Sequence, residues 1–281
     1  MSLFDEIVIV DWSAASKPTP KRPSKDAIWL AHWREGAMKT QYFRTRAAVC
    51  ELLCRLFEDA LAAGRRVMAG FDFPFGYPQG FAAKVAGAPS ALALWEHFGE
   101  VVADADDNAN NRFDVAAEMN RMFPGVGPFW GRPHQWDIAD LPTHGRTRHG
   151  HGMAERRLVE QSATTAQPCW KLFTTGSVGG QAITGIARLQ AMRSRFGAGL
   201  AVWPFEPWGE AGVVLTEIYP SAHADAVSLA LKEGDILDEV QVRVLAEMFA
   251  AMDGDGRLGA ALDAVPEGVA RREEGWILGL G

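Results

Sequence analysis

EIVIVDW, residues 6–12, is the stretch on which the reading of this chain turns. Ile7 to Val10 are uninterrupted β-branched residues with no polar–apolar alternation, and the run closes on Asp11. Such a run reads as a strand buried on both faces of a covered sheet, with an acid at its exposed end. The pattern recurs twice. VMAGFDFPFGYP (67–78) is a second buried strand that leaves the sheet at Asp72, because Phe73-Pro74 removes a backbone donor. GVVLTEIYP (212–220) is another, with Glu217 near its end.

Working outward, SAASKPTPKRPSKD (13–26) is a loop by its Pro, Ser and Lys content. AIWLAHW (27–33) and KTQYFRT (39–45), separated by REGAM, read as a hairpin beside the first strand. Thr45 can cap a helix over RAAVCELLCRLFEDALAAGRR, in which Val49, Leu52, Leu53, Leu56, Phe57 and Leu61 keep helical spacing and Gly64 is the stop. Between about 80 and 170 the pattern changes to short helical pieces, SALALWEHFGEVVADA and RFDVAAEMNRMF among them, with no period-2 strand. This region reads as an insertion or lid, and loop-rich segments of that length are usually functional. GSVGGQAITGIARLQAMRSRFG (176–197) opens on glycines and continues as a helix, and GLAVWPFEPW (199–208) is a further strand candidate. SAHADAVSLALKEG, ILDEVQVRVLAEMFAAMD, RLGAALD and PEGVARREE carry helical patterns to the chain's end. The expectation is one α/β domain over 1–281, a mixed sheet flanked by helices, with 80–170 inserted in it.

Bulk properties narrow the function classes. With 48% hydrophobic and 22% charged residues the chain is an ordinary globular one. A formal net charge of -7 argues against a uniformly basic surface that coats nucleic acid, while leaving room for a local basic patch. The apolar run near the start is too short for a signal segment, Asp5 and Glu6 stand where positive charge is expected, and no stretch has eighteen apolar residues. A cytoplasmic location with no membrane partner is the expectation, and oligomeric state is not readable. Cys50, Cys54 and Cys169 lack metal-ligand spacing and read as small core residues.

Loops beyond strand ends are exposed while strand bodies are not, so Asp11, Asp72 and Glu217 are placed where acids can face a ligand. Close carboxylates repel, and a cluster persists when a cation neutralises it or one member is protonated. Mg²⁺ or Mn²⁺ is the natural partner, since hard cations take carboxylate, water and phosphate oxygens. A metal–carboxylate site of this kind can activate water against a phosphodiester. The competing account is that each acid singly ends a strand or caps a helix.

The element order, together with VDWSAAS (10–16), GFDFPFGYP (70–78) and LTEIYPSAH (215–223), resembles the RNase H-like fold and, within it, a bacterial and archaeal group known as domain of unknown function 429, whose members are often called predicted RNase H-like nucleases. The resemblance implies a metal-dependent nuclease or phosphodiesterase with Asp11, Asp72 and Glu217 as catalytic and metal-holding acids. It also implies a carboxylate from a late helix, for which Asp238 is the nearest match, with Glu239 beside it. The second acid of that pattern meets Gln241 and Val242 instead.

Substrate contacts are expected from Trp12 and Ser13, next to Asp11, and from Arg146 and Arg148 in the tract THGRTRHGHGMAERR, where His144, His149, His151, Arg156 and Arg157 also lie. A solvated loop is the plainer account of that tract. Ser13, Ser16 and Lys17, or the glycines of GSVGG, also suit a phosphate-binding turn. These raise a phosphotransferase of the actin and sugar-kinase type, although that class normally duplicates the fold. A nucleic-acid or nucleotide-binding protein without turnover is the other alternative, since fold does not give function. The partner is thus nucleic acid or a phosphorylated small molecule. The ten tryptophans read mostly as core, and no G-x-S-x-G elbow occurs.

Overall fold

The computed structural model of the chain describes residues 2–163 and 165–280. Its centre is a mixed six-stranded sheet in the order β3-β2-β1-β4-β6-β5. β1 (Glu6–Asp11) pairs antiparallel with β2 (Ile28–Arg34), which pairs antiparallel with β3 (Ala37–Phe43). On the other side β4 (Val67–Phe71), β6 (Val213–Glu217) and β5 (Leu200–Val202) follow in parallel. The hairpin turn is tighter than REGAM suggests. Glu35 and Gly36 both take positive φ, 51° and 79°, the two-residue turn whose twist matches that of the strands, so Ala37 and Met38 belong to β3.

Side-chain alternation along β1 splits the core in two. Val8, Val10 and Trp12 face α1 (Arg46–Ala62), α3 (Ala91–Val101) and α6 (Val178–Phe196). Ile7 and Ile9 face α8 (Leu237–Gly254) and α9 (Arg257–Asp263). α1 forms as its spacing predicts. The Thr45 side chain accepts the Ala48 N–H, and Val49, Leu53 and Phe57 are fully buried, each stabilising the layer by roughly 1.5–3 kcal/mol.

The 80–170 region contributes α2 (Phe81–Ala86), α3, α4 (Arg112–Asn120) and α5 (Leu158–Ser162), joined by isolated bridges. It is packed rather than loose. Trp95, Phe98, Phe129 and Trp170 belong to the same buried cluster as Val8, and the Trp95 indole donates to the Phe75 carbonyl at 2.7 Å. α6 reaches the sheet because Gly185 leaves a notch for Phe73: a Cβ there would stand 2.2 Å from the ring. After β6 come α7 (Ala224–Ala230), α8 and α9. The helix expected over PEGVARREE is only a π-helical turn, Ala270–Glu274, since Pro266 and Gly268, at φ 91°, interrupt it. The chain then returns to the sheet, with the Leu278 N–H donating to the Glu217 carbonyl at 2.9 Å. No helix among the described residues is long and apolar enough to cross a membrane.

Candidate functional site

Parallel register sets two of the acids side by side. Val10 is level with Phe71, so Asp11 and Asp72, each one residue further, project from the same face, the one covered by α8. Their carboxylates are in hydrogen-bond contact. Asp72 Oδ1 also accepts the Trp12 N–H at 2.7 Å. Both residues are half-buried. Burial pushes both carboxyls up, Asp72 to about 6. Asp11 is raised well above the usual carboxylate range by burial and then by repulsion from Asp72 and Asp238.

Asp238 joins them from the first turn of α8, where an acid also suits the helix dipole. Its Oδ2 accepts the Asp26 N–H at 2.7 Å, tying the 13–26 loop to the helix. Burial raises its carboxyl as well. Glu239 instead accepts from Thr40 Oγ1 at 2.6 Å, towards β3. Among the described residues no group of three His, Cys, Asp or Glu side chains has the grouping of a ready metal cage. The Asp11–Asp72 pair therefore supplies two carboxylates, with Asp238 further out.

The expected set of Asp11, Asp72 and Glu217 is not assembled. Glu217 is level with Phe71 rather than Asp72, and this one-residue offset turns its side chain to the opposite face of the sheet. There both its oxygens are taken. Arg157 Nη1 donates to Oε2 at 2.8 Å and Arg157 Nη2 to Oε1, while the Phe75 N–H reaches Oε2 at 3.0 Å. Arg157, 1% exposed, also binds Glu160 and the Glu274 carbonyl. Burial works against its charge, and Glu217 and Glu160 more than reverse that. Glu217 is therefore the hub of a buried ion network joining β6, α5 and the C-terminal turn.

Three of the expected substrate contacts also fall elsewhere. The Trp12 ring is buried against Phe71 and Phe73, with its indole N–H donating to Thr184 at 3.3 Å, so no base can stack on it. What Trp12 offers the site is backbone: its N–H to Asp72, and its carbonyl to the Gln181 amide. Arg148 is held by the Pro128 carbonyl, by both oxygens of Glu155 and by the Trp130 ring. Arg146 is exposed, and neither arginine lines the clefts beside the acids. Ser13 does stand where expected, its hydroxyl shaping the turn after Asp11 through the Ala15 N–H and the Asp26 carbonyl.

Above the aspartates opens a cleft of about 750 Å³. Asp11, Asp26 and Asp238 make one part of its wall, and Arg112, Ser177 and Gln181 another. A smaller cleft of about 290 Å³, lined by Asp72, Tyr219 and Glu217, shares Gly176, Gln181, Ser221 and Gln241 with it. Arg112 and Gln181 carry no motif in the sequence, and only the glycines of GSVGG hinted at this wall. The arrangement is one of paired acids facing a buried cation and a helix start, which suits a ligand that carries a metal ion and an oxyanion together. Comparison of the chain with protein-family models, curated proteins and solved structures gives no match.

Proposed function

We propose that the chain is a Mg²⁺- or Mn²⁺-dependent phosphodiesterase of the RNase H-like, nuclease type, working at the cleft above Asp11 and Asp72. The observation that carries this reading is the pair of adjacent carboxylates at the ends of β1 and β4, both raised by burial. Two hard oxygen donors at the mouth of a cleft fit a divalent ion that keeps its other positions for water and phosphate. The hairpin leading into a parallel sheet, with acids at the ends of β1 and β4, adds support for the RNase H-like assignment, as do the three sequence stretches that resemble domain of unknown function 429. Of the acids that resemblance implies, Asp11, Asp72 and the late-helix Asp238 serve this reading, while Glu217 is bound to Arg157.

A bound divalent ion would supply Lewis acidity, lowering the pKa of water and polarising a phosphoryl oxygen. Asp11 and Asp72 would hold it. The Trp12 N–H fixes the Asp72 carboxylate, and Gln181 fixes the turn that carries Trp12. Asp238, its carboxyl raised by burial, is suited to take a proton from an attacking water.

The test is hydrolysis of bis(p-nitrophenyl) phosphate and of labelled single-stranded, duplex and hybrid nucleic acids, with Mg²⁺ or Mn²⁺ against chelator. Metal-dependent cleavage that disappears in Asp11→Asn, with circular dichroism unchanged, is the expected result. Cleavage that survives in Asp11→Asn, or none with any substrate, would overturn the proposal. ATP hydrolysis without phosphodiester cleavage would shift the reading to a phosphotransferase.

A further inference from the structure

We propose that the same cleft contains a dedicated phosphate-oxyanion subsite, built from the Arg112 guanidinium, the start of α6 and the turn after Asp11. Arg112 is only 6% exposed. Its Nη1 is spent on Ser16 Oγ and Asn110 Oδ1, both at 2.8 Å. Its Nε is buried without a hydrogen-bond partner, and among the described residues neither Nε nor Nη2 meets an acceptor. These two donors form the planar edge of a guanidinium that grips carboxylate or phosphate through two parallel bonds. A buried arginine ordinarily has an acid on that edge. Here the acid that acts on it, Asp104, is taken by Arg46 and Arg188, and Arg46 adds repulsion.

The surroundings favour an anion at that edge. α6 runs for 19 residues, no side chain caps its N-terminus, the Lys171 carbonyl accepts its Gly179 N–H, and the preceding Ser177 lines the cleft beside Arg112. Gly180, in its first turn, packs closely on the Nε end of that edge, so Nη2 is the donor left to face the cleft. A Cβ there would stand 3.2 Å from Arg112 Nε, 3.1 Å from the Leu172 carbonyl and 3.3 Å from the Ala14 Cβ. Ala14 belongs to the turn that follows Asp11, and Arg112 and Asp11 line the same cleft. The ligand chemistry is a phosphate group that meets Arg112 on one side and the aspartates, through a cation, on the other. The subsite rests on the proposed activity only in taking this phosphate to be the substrate's.

The experiment uses the full chain with chelator present and inorganic phosphate as the probe, followed by calorimetry and ³¹P NMR. Wild type is expected to bind phosphate saturably, and Arg112→Gln to bind it about tenfold to a hundredfold more weakly, the worth of a charge-assisted contact. Gly180→Ala, which favours the helix while crowding the edge, is expected to weaken phosphate binding with the fold retained. Asp11→Asn is expected to bind phosphate at least as tightly as wild type. Equal phosphate affinity in wild type, Arg112→Gln and Gly180→Ala, or no saturable binding by wild type, would overturn the subsite. Wild-type phosphodiester cleavage that persists unchanged in Arg112→Gln would also overturn it, while leaving the proposed activity standing. Phosphate binding that depends on Arg112 in a chain that cleaves no phosphodiester would do the reverse.

Discussion

Asp72→Asn is expected to stabilise the metal-free protein and to remove its response to divalent ions. In the fold the Asp72 carboxyl is raised from 3.8 to about 6 by burial. The folded state thus holds the extra proton between those values. Its contribution to stability is whole below the unfolded pKa and is lost as pH rises through the folded one. A shift of this size corresponds to about 3 kcal/mol at pH 8, a ceiling because the residue keeps some contact with solvent. Asparagine still accepts the Trp12 N–H, can donate to Asp11 and carries no charge to bury. For 281 residues the unfolding entropy is about 0.6 kcal/mol/K, so the variant should melt up to about 5 °C above wild type in chelator at pH 8. That difference should vanish near pH 4. Mn²⁺ should then reverse the order, since an ion at a thousand times its Kd adds about 4.1 kcal/mol to wild type alone. Calorimetric melting of both proteins from pH 4 to 8, with and without Mn²⁺, is the assay. A variant less stable than wild type in chelator at pH 8, or one that gains as much from Mn²⁺, would refute the reasoning.

Other substitutions separate the site from its scaffold. Glu217→Ala leaves Arg157 buried with Glu160 as its remaining carboxylate; denaturant melts should show a loss of about 3–5 kcal/mol, while calorimetric Mn²⁺ affinity stays within twofold of wild type, about the precision of such titrations. Gly185→Ala drives a Cβ to 2.2 Å from Phe73, and overpacking should lower stability by about 1–3 kcal/mol in urea titrations. Arg146→Ala, at an exposed position, should change stability by less than about 0.5 kcal/mol. Arg148→Ala loses the Pro128 and Glu155 contacts and should melt lower. Neither arginine substitution should alter the phosphodiester cleavage rate, because neither side chain lines the cleft.

The chain's own sequence determined which segments become β1, β4, β6, α1, α6 and α8, because periodicity and capping are local and strong there. It also determined that acids stand where β1, β4 and β6 end. Tertiary structure decided which of those acids meet. Strands buried on both faces, as VVLTE is, have no polar alternation, so nothing in their sequence tells which face a residue takes. That parity comes from pairing β6 with β4, partners more than 140 residues apart, and it sends Glu217 to Arg157 while Asp11 and Asp72 stay together. The arginines obey the same rule. Arg146, Arg148 and Arg157 share one basic tract, but charge alone does not say which is drawn into the core. Arg112 opens a short, mostly buried helix, and only the packing of α6 against the turn after Asp11 leaves its guanidinium at the cleft without an acid.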